Sequence, residues 1–199
     1  AGIPRYQLGA LEDASEALEQ VLEALHESLC NGSDCSEKPC IVHSLFSLTI
    51  RDQYACACGN MSPITTYDTF MYYVYASELV KLANQNPQLE LDELVHLQNT
   101  QDLRPCSSVP CTKMMVNAST LMHSSSCFIL TFVHDEGDAT RKSSLAACIS
   151  ESLKLSRLFG QPAQAKEFAL KAVVFSYGNH YVCYCKSNES MWHYMDDAI

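Results

Sequence analysis

From Leu170 to the end, the chain reads as three strands joined by two tight turns, the pattern that most limits its fold. Leu170 to Tyr177 is apolar and β-branched, Gly178-Asn179 is a turn dipeptide, and His180 opens a second strand running to Lys186. After a Ser187-Asn188 turn, a third strand runs from Met191 to the carboxylates Asp196 and Asp197. Runs of this kind punctuated by Gly/Asn and Ser/Asn turns predict an antiparallel meander. In a meander, His180 and Asp196 fall on neighbouring strands. That spacing lets a carboxylate hold an imidazole in one tautomer for general-base work.

The rest of the chain predicts an α+β architecture, with helix first and mostly strands after. Leu11, Ala14, Leu18, Val21, Leu22 and Leu25 recur at three- and four-residue spacing, so residues 11–29 are expected to be an amphipathic helix. Further expectations are strands over 42–54, 65–75 and 126–134, and helices over 91–99 and 143–158. Cys56-Ala57-Cys58-Gly59-Asn60 reads as a knuckle-like turn. The 199 residues carry a formal net charge of -10, which argues against general binding to a phosphate backbone. The longest apolar run, Cys127 to Leu130, is far too short to span a bilayer and reads as a buried strand. The first residues lack the apolar core of a signal peptide, and the chain does not open with Met, as expected of a fragment.

Eleven cysteines in a chain without an export signal point to thiolate ligands in a reducing compartment rather than to disulfides. Two groups have spacings suited to zinc, which takes four thiolate or imidazole ligands from short-range pairs. One joins Cys56-x-Cys58 to Cys106-x4-Cys111; the other joins Cys35-x4-Cys40-x2-His43 to His26, with Cys30 close by. Reduced structural thiols, or a buried Cys40 beside an exposed His43, are the alternatives. Cys127, Cys148, Cys183 and Cys185 lie on apolar stretches and are expected in the core. His96, His123, His134 and His193 are expected to be surface or packing residues.

Several of these segments together resemble the ubiquitin-specific protease family of papain-like thiol proteases (peptidase C19). Leu11-Glu12-Asp13-Ala14-Ser15-Glu16-Ala17-Leu18 is similar to its helical Gln-Gln-Asp-Ala-x-Glu-Phe-Leu box. Gly178-Asn179-His180-Tyr181 resembles its Gly-x-His-Tyr box, and Trp192 to Asp197 its Trp-x-x-Phe-Asp-Asp segment. Glu12, Ala17 and Met195 depart from the usual Gln, Phe and Phe. Cys35-x4-Cys40-x2-His43 and Leu155 to Phe159 look closest to a divergent branch that includes animal members labelled inactive.

The resemblance implies a palm and zinc-bearing fingers with most of the thumb missing, in one partial domain over 1–199. The fingers-like insertion would cover about 50–115 and the His/Asp meander 168–199. By the same resemblance His180 is the general base, Asp196 its orienter, and Asp197, Tyr181 and Trp192 are supporting residues. Glu12, Asp13 and Glu16 would meet the basic C-terminal tail of ubiquitin, while Glu19 and Glu23 would be solvated. No cysteine matches the family's Asn-Thr-Cys box, so the nucleophile is expected upstream of residue 1. The expected activity is thiol-dependent hydrolysis of ubiquitin isopeptide bonds inside the cell, in cytoplasm or nucleus. A catalytically silent relative that binds ubiquitin or scaffolds a complex is the alternative, and a zinc-stabilised interaction module without a ubiquitin role is a third reading.

Overall fold

The structure is a computed structural model, and it describes residues 13–30, 35, 39–134, 141–161, 166–177, 180–187 and 191–196. Helix α1 (Ala14–Cys30) leads into a short α2 (Ile41–Phe46). Strand β1 (Leu48–Cys56) follows, then β2 (Thr65–Thr69), β3 (Tyr72–Tyr75), α3 (Ala76–Gln85), α4 (Leu91–Thr100), β4 (Leu103–Pro105) and β5 (Met114–Ser124). Next come β6 (Leu130–Val133), α5 (Arg141–Ala146), β7 (Ser152–Lys154), α6 (Leu155–Leu158) and β8 (Glu167–Ala169). The chain closes with β9 (Ala172–Tyr177), β10 (His180–Ser187) and β11 (Met191–Asp196).

The main core lies where α3, α4 and α6 pack against β1, β3 and β5. Leu48, Ile50, Val74, Leu79, Leu94, Val95, Leu121, Leu155 and Leu158 are sealed from solvent there. Aromatic packing extends it, with Phe128 set between Tyr72 and Phe168. At the start of α4 the buried carboxylate of Asp92 accepts the N–H groups of Glu93 and Lys154, each at 2.9 Å, and so ties the helix to β7. Its charge is compensated by Arg157, 3.8 Å away.

The two largest sheets carry the His180–Asp196 pair and the Cys56 group. The four-stranded antiparallel sheet runs β2-β1-β5-β4, and its far end holds a separate apolar cluster of Tyr54, Cys56 and Met115. The span 50–115 is therefore divided: α3 and α4 belong to the main core, while the ends of β1, β4 and β5 form the tip. The terminal meander is realised as the antiparallel sheet β11-β10-β9.

Several local expectations change. The expected strand over 42–54 begins as helix α2, because Leu45 accepts the Cys127 N–H and Ser47 and Ser125 bind each other, a tertiary seam that alternation cannot reveal. Residues 65–75 split into β2 and β3, which pair in different sheets. Within 126–134 only Leu130–Val133 is strand; it pairs parallel with β3, and Cys127 is exposed. The expected helix over 143–158 is broken by β7, whose antiparallel partner β8 lies beyond the end of that segment. Helix α3 and the long β5 have no counterpart among the sequence expectations. Cys148, Cys183 and Cys185 are half-buried rather than core residues.

Candidate active site and metal centres

Strand pairing brings the His and the carboxylate together. In the β10–β11 register Val182 faces Asp196, so His180 sits two positions from direct opposition, on the same face of the sheet. That diagonal is within reach of a long side chain. His180 Nε2 lies 3.5 Å from Asp196 Oδ1, with Asp196 12% and His180 30% exposed. The second carboxylate oxygen, Oδ2, accepts the Tyr194 hydroxyl at 2.5 Å. Sequence reading missed Tyr194, although its i, i+2 relation to Asp196 on a strand puts both on one face.

Tyr181 points to the opposite face and does a different job. Its hydroxyl accepts the Ala14 N–H at 3.2 Å, taking one of the N–H groups that the first turn of α1 leaves without a helical partner. Asp13 caps the same end. Its Oδ1 accepts the Ser15 N–H at 2.7 Å and the Ser15 hydroxyl at 2.6 Å, and its carbonyl accepts the Ala17 N–H at 2.9 Å. Burial raises the Asp13 carboxyl, but the Ser15 and Glu16 hydrogen bonds and nearby His134 outweigh it and hold it below its usual range. Glu16 is exposed on the same turn, whereas Glu19 accepts the Tyr73 hydroxyl at 2.6 Å instead of being merely solvated. Trp192 is 40% exposed on β11, with the Lys186 ammonium 5.5 Å above its ring. Glu12 and Asp197 lie outside the described residues.

The two cysteine pairs meet at the sheet tip. β1 and β5 are antiparallel, so the turn after Cys56 and the turn before Met114 emerge at the same end. Gly59, at φ +90°, lets the first turn close, with the Gly59 N–H on the Cys56 carbonyl at 2.9 Å. The donor atoms of Cys56, Cys58, Cys106 and Cys111 all lie within 4.8 Å of one another. Sγ–Sγ distances are 3.7 Å for Cys56–Cys111 and 3.7 Å for Cys58–Cys106. Bonds of ~2.3 Å to a tetrahedral zinc set thiolates about 3.8 Å apart, so these residues fit that ion. The irregular one- and four-residue gaps are accommodated because the pairs come from different turns. Asn60 donates to Cys106 Sγ at 3.4 Å. The Ser108 N–H, working against burial and helped by Asn60, brings the Cys106 thiol down to about 7. At Cys56 the Cys58 N–H opposes, but burial and the neighbouring thiols push the pKa up to about 12.

The second group also assembles. His26, Cys35, Cys40 and His43 place their donor atoms within 4.8 Å of one another. Cys40 Sγ lies 3.5 Å from His26 Nδ1 and 3.6 Å from His43 Nδ1; a tetrahedral zinc sets sulfur and nitrogen about 3.5 Å apart. Burial raises Cys40, yet hydrogen bonds with His26 and His43 bring it down to about 5. Phe70 closes one side, its ring centroid 5.9 Å from that of His26 and 5.4 Å from that of His43.

A sequence profile described as "Ubiquitin carboxyl-terminal hydrolase" matches residues 4–199. The chain belongs to the ubiquitin carboxyl-terminal hydrolase family. Ubiquitin carboxyl-terminal hydrolase 53 of Homo sapiens is 25% identical over 98% of this chain and 20% of its own length. Ubiquitin carboxyl-terminal hydrolase 54 of Mus musculus is also 25% identical, over 98% of this chain and 13% of its own. The chain thus spans a fifth or less of these two relatives. Its fold is that of Ubp8 in the SAGA Ubp8/Sgf11/Sus1/Sgf73 DUB module, with TM-score 0.67 and 15% identity over 96% of this chain and 46% of that one. A second structure of that module, bound to monoubiquitin, superposes with TM-score 0.62 at 15% identity, over 94% of this chain and 43% of that one. The hydrolase-family fold explains why boxes 160 residues apart meet: the helical box caps onto Tyr181, beside the His box. Among the described residues, no helix is long and apolar enough to cross a membrane.

Proposed function

We propose that this ubiquitin-specific protease-like domain carries the base half of a thiol protease that hydrolyses the isopeptide bond after ubiquitin's terminal glycine. The observation that carries it is the His180 Nε2–Asp196 Oδ1 approach of 3.5 Å across β10 and β11. With Nε2 turned to the carboxylate, Nδ1 is the ring nitrogen that takes the proton of a thiol. That thiol is supplied from outside these 199 residues. The thiolate attacks the isopeptide carbonyl, and His180 passes its proton to the departing lysine amine, leaving a thioester. Water, deprotonated by the same imidazole, then releases the ubiquitin carboxylate and restores the thiol. Asp196 keeps the ring oriented throughout, Tyr181 joins its strand to α1, and Trp192 forms an exposed wall. Asp13 and Glu16 present acidic groups to the basic tail of the substrate, together with Glu12; Asp197 supports Asp196.

Zinc in the Cys56, Cys58, Cys106 and Cys111 group holds the fingers tip together, structurally rather than chemically. The domain is one partial unit of a longer protein working in a reducing intracellular compartment, where its cysteines stay available as ligands. The test is to treat the full-length protein with an electrophilic ubiquitin probe. Covalent labelling that His180→Ala abolishes, with folding verified by circular dichroism, supports the protease. A folded wild type that binds ubiquitin without labelling is the catalytically silent relative and overturns it.

A further inference from the structure

Cys183 and Cys185 take no part in the sites described so far. They stand two positions apart on β10, so both side chains leave the same face of the sheet, opposite to that of His180. Their Sγ atoms are 3.3 Å apart, closer than the 3.7 Å between paired sulfurs at the fingers tip. Among the described residues, no third His, Cys, Asp or Glu donor gathers with them as happens in the two zinc-type groups. A close pair of thiols without further ligands suits dithiol chemistry rather than zinc, which needs four donors. Both thiols are reduced and half-buried. Cys183 faces Met195 on β11 and Val174 on β9, and both of these are more than half exposed. That leaves this face of the sheet open to a small oxidant.

We propose that Cys183 and Cys185 are a redox-active dithiol, which hydrogen peroxide closes to a reversible disulfide that deforms the strand carrying His180. The first thiol attacks the peroxide O–O bond, giving a sulfenic acid and one water. The second thiol attacks that sulfur, forms the S–S bond and releases a second water. Two thiols thus lose two electrons and two protons, and one peroxide is reduced to two waters. Burial and the adjoining Cys185 thiol raise the pKa of Cys183, which keeps it protonated. Cys185 is therefore oxidised first and Cys183 resolves it. A small dithiol reverses the reaction by exchange and leaves as its own disulfide.

The bond has a mechanical consequence. Two residues of antiparallel strand span about 6.8 Å between Cα atoms, at the upper edge of the ~4.4–6.8 Å range of disulfides. Closure draws the Cβ atoms to about 3.8 Å, so β10 puckers at Tyr184. Tyr184 pairs with Val173 on β9 and Tyr194 on β11, and Val182, next to Cys183, faces Asp196. The pucker thus loosens the ladder that holds His180 against Asp196. A strained bridge of this kind is easily reduced, as befits a transient one in a cell interior.

The experiment treats the folded full-length protein with hydrogen peroxide, alkylates the remaining thiols and digests with trypsin. Cleavage after Lys171 and Lys186 isolates a peptide whose only cysteines are Cys183 and Cys185. The expected product lacks both alkyl groups and two hydrogens, and dithiothreitol before alkylation restores both groups. In Cys183→Ser, a diketone trap should capture the sulfenic acid on Cys185. Hydrogen exchange of β10 should quicken on oxidation and recover on reduction. Full alkylation of both cysteines after peroxide overturns the proposal, as does a bridge from either one to a different cysteine. A bridge that leaves exchange in β10 unchanged also overturns it. The protease reading is tested on the reduced protein by probe labelling, so the two fail independently.

Discussion

Stripping metal from the fingers is expected to melt the tip of the four-stranded sheet and leave the main core folded. Among the described residues the tip's apolar core is small: Tyr54, Cys56 and Met115 are buried, with Cys106 and Cys111 partly covered. Burial of three such side chains is worth about 6 kcal/mol. Ordering the 106–113 turn costs roughly 8 to 16 kcal/mol in backbone freedom. Apolar contact alone therefore falls short, whereas a structural zinc contributes about 10–16 kcal/mol at neutral pH. The assay is hydrogen exchange with and without a chelator. The reporters are the N–H groups of Cys56, Gly59, Cys106 and Cys111, which bind the carbonyls of Asn60, Cys56, Lys113 and Ser108 at 2.8–3.1 Å. They should lose protection by orders of magnitude while Leu79 and Val95 keep theirs. Equal protection in the chelated protein would refute the reasoning, since it would mean the turn is ordered without an ion.

Three further outcomes follow from the packing. Asp92→Ala should cost about 2 kcal/mol in a denaturant titration, because the partly buried Lys154 N–H loses its acceptor, while Arg157 keeps its ion pair with Glu90. Gly160→Ala should destabilise by about 2 kcal/mol: φ is +61°, and the added Cβ would meet His96 Cε1 at 2.7 Å while His96 Nδ1 is held by the Leu158 carbonyl at 3.2 Å. Asp13→Ala should cost about 1 kcal/mol, read as fraying at the start of α1. Because the folded Asp13 carboxyl lies below its unfolded value, that contribution is full above the unfolded pKa of about 3.9 and fades as pH falls through the folded one. A stability difference between wild type and Asp13→Ala that grew on acidification would contradict it.

The helical box, the His and Asp boxes and both ligand groups were legible in the sequence because each depends on short-range order. A 3.6-residue period marks α1, turn dipeptides delimit β9, β10 and β11, and knuckle cysteines come in local pairs. The same spacing places His180 and Asp196 on adjacent strands. What local order does not contain is which distant segment supplies a partner. Residues 65–75 are rich in aromatic and β-branched residues throughout, yet β3 leaves β2 to pair parallel with β6. Residues 152–154 sit in a stretch with helical composition but become strand because β8 offers them hydrogen bonds. Residues 42–46 read as strand yet belong to α2.

The sequence by itself determined the chemistry available: an imidazole and a carboxylate one strand apart, and two sets of zinc-type donors. Only the tertiary structure decided how those groups are held. It put the first N–H of α1 on Tyr181, gave Asp196 a second partner in Tyr194, and set Phe70 against His26 and His43. The physical reason is that periodicity selects the face a side chain occupies, while the neighbour across that face is chosen by global packing and by the need to satisfy every buried polar group.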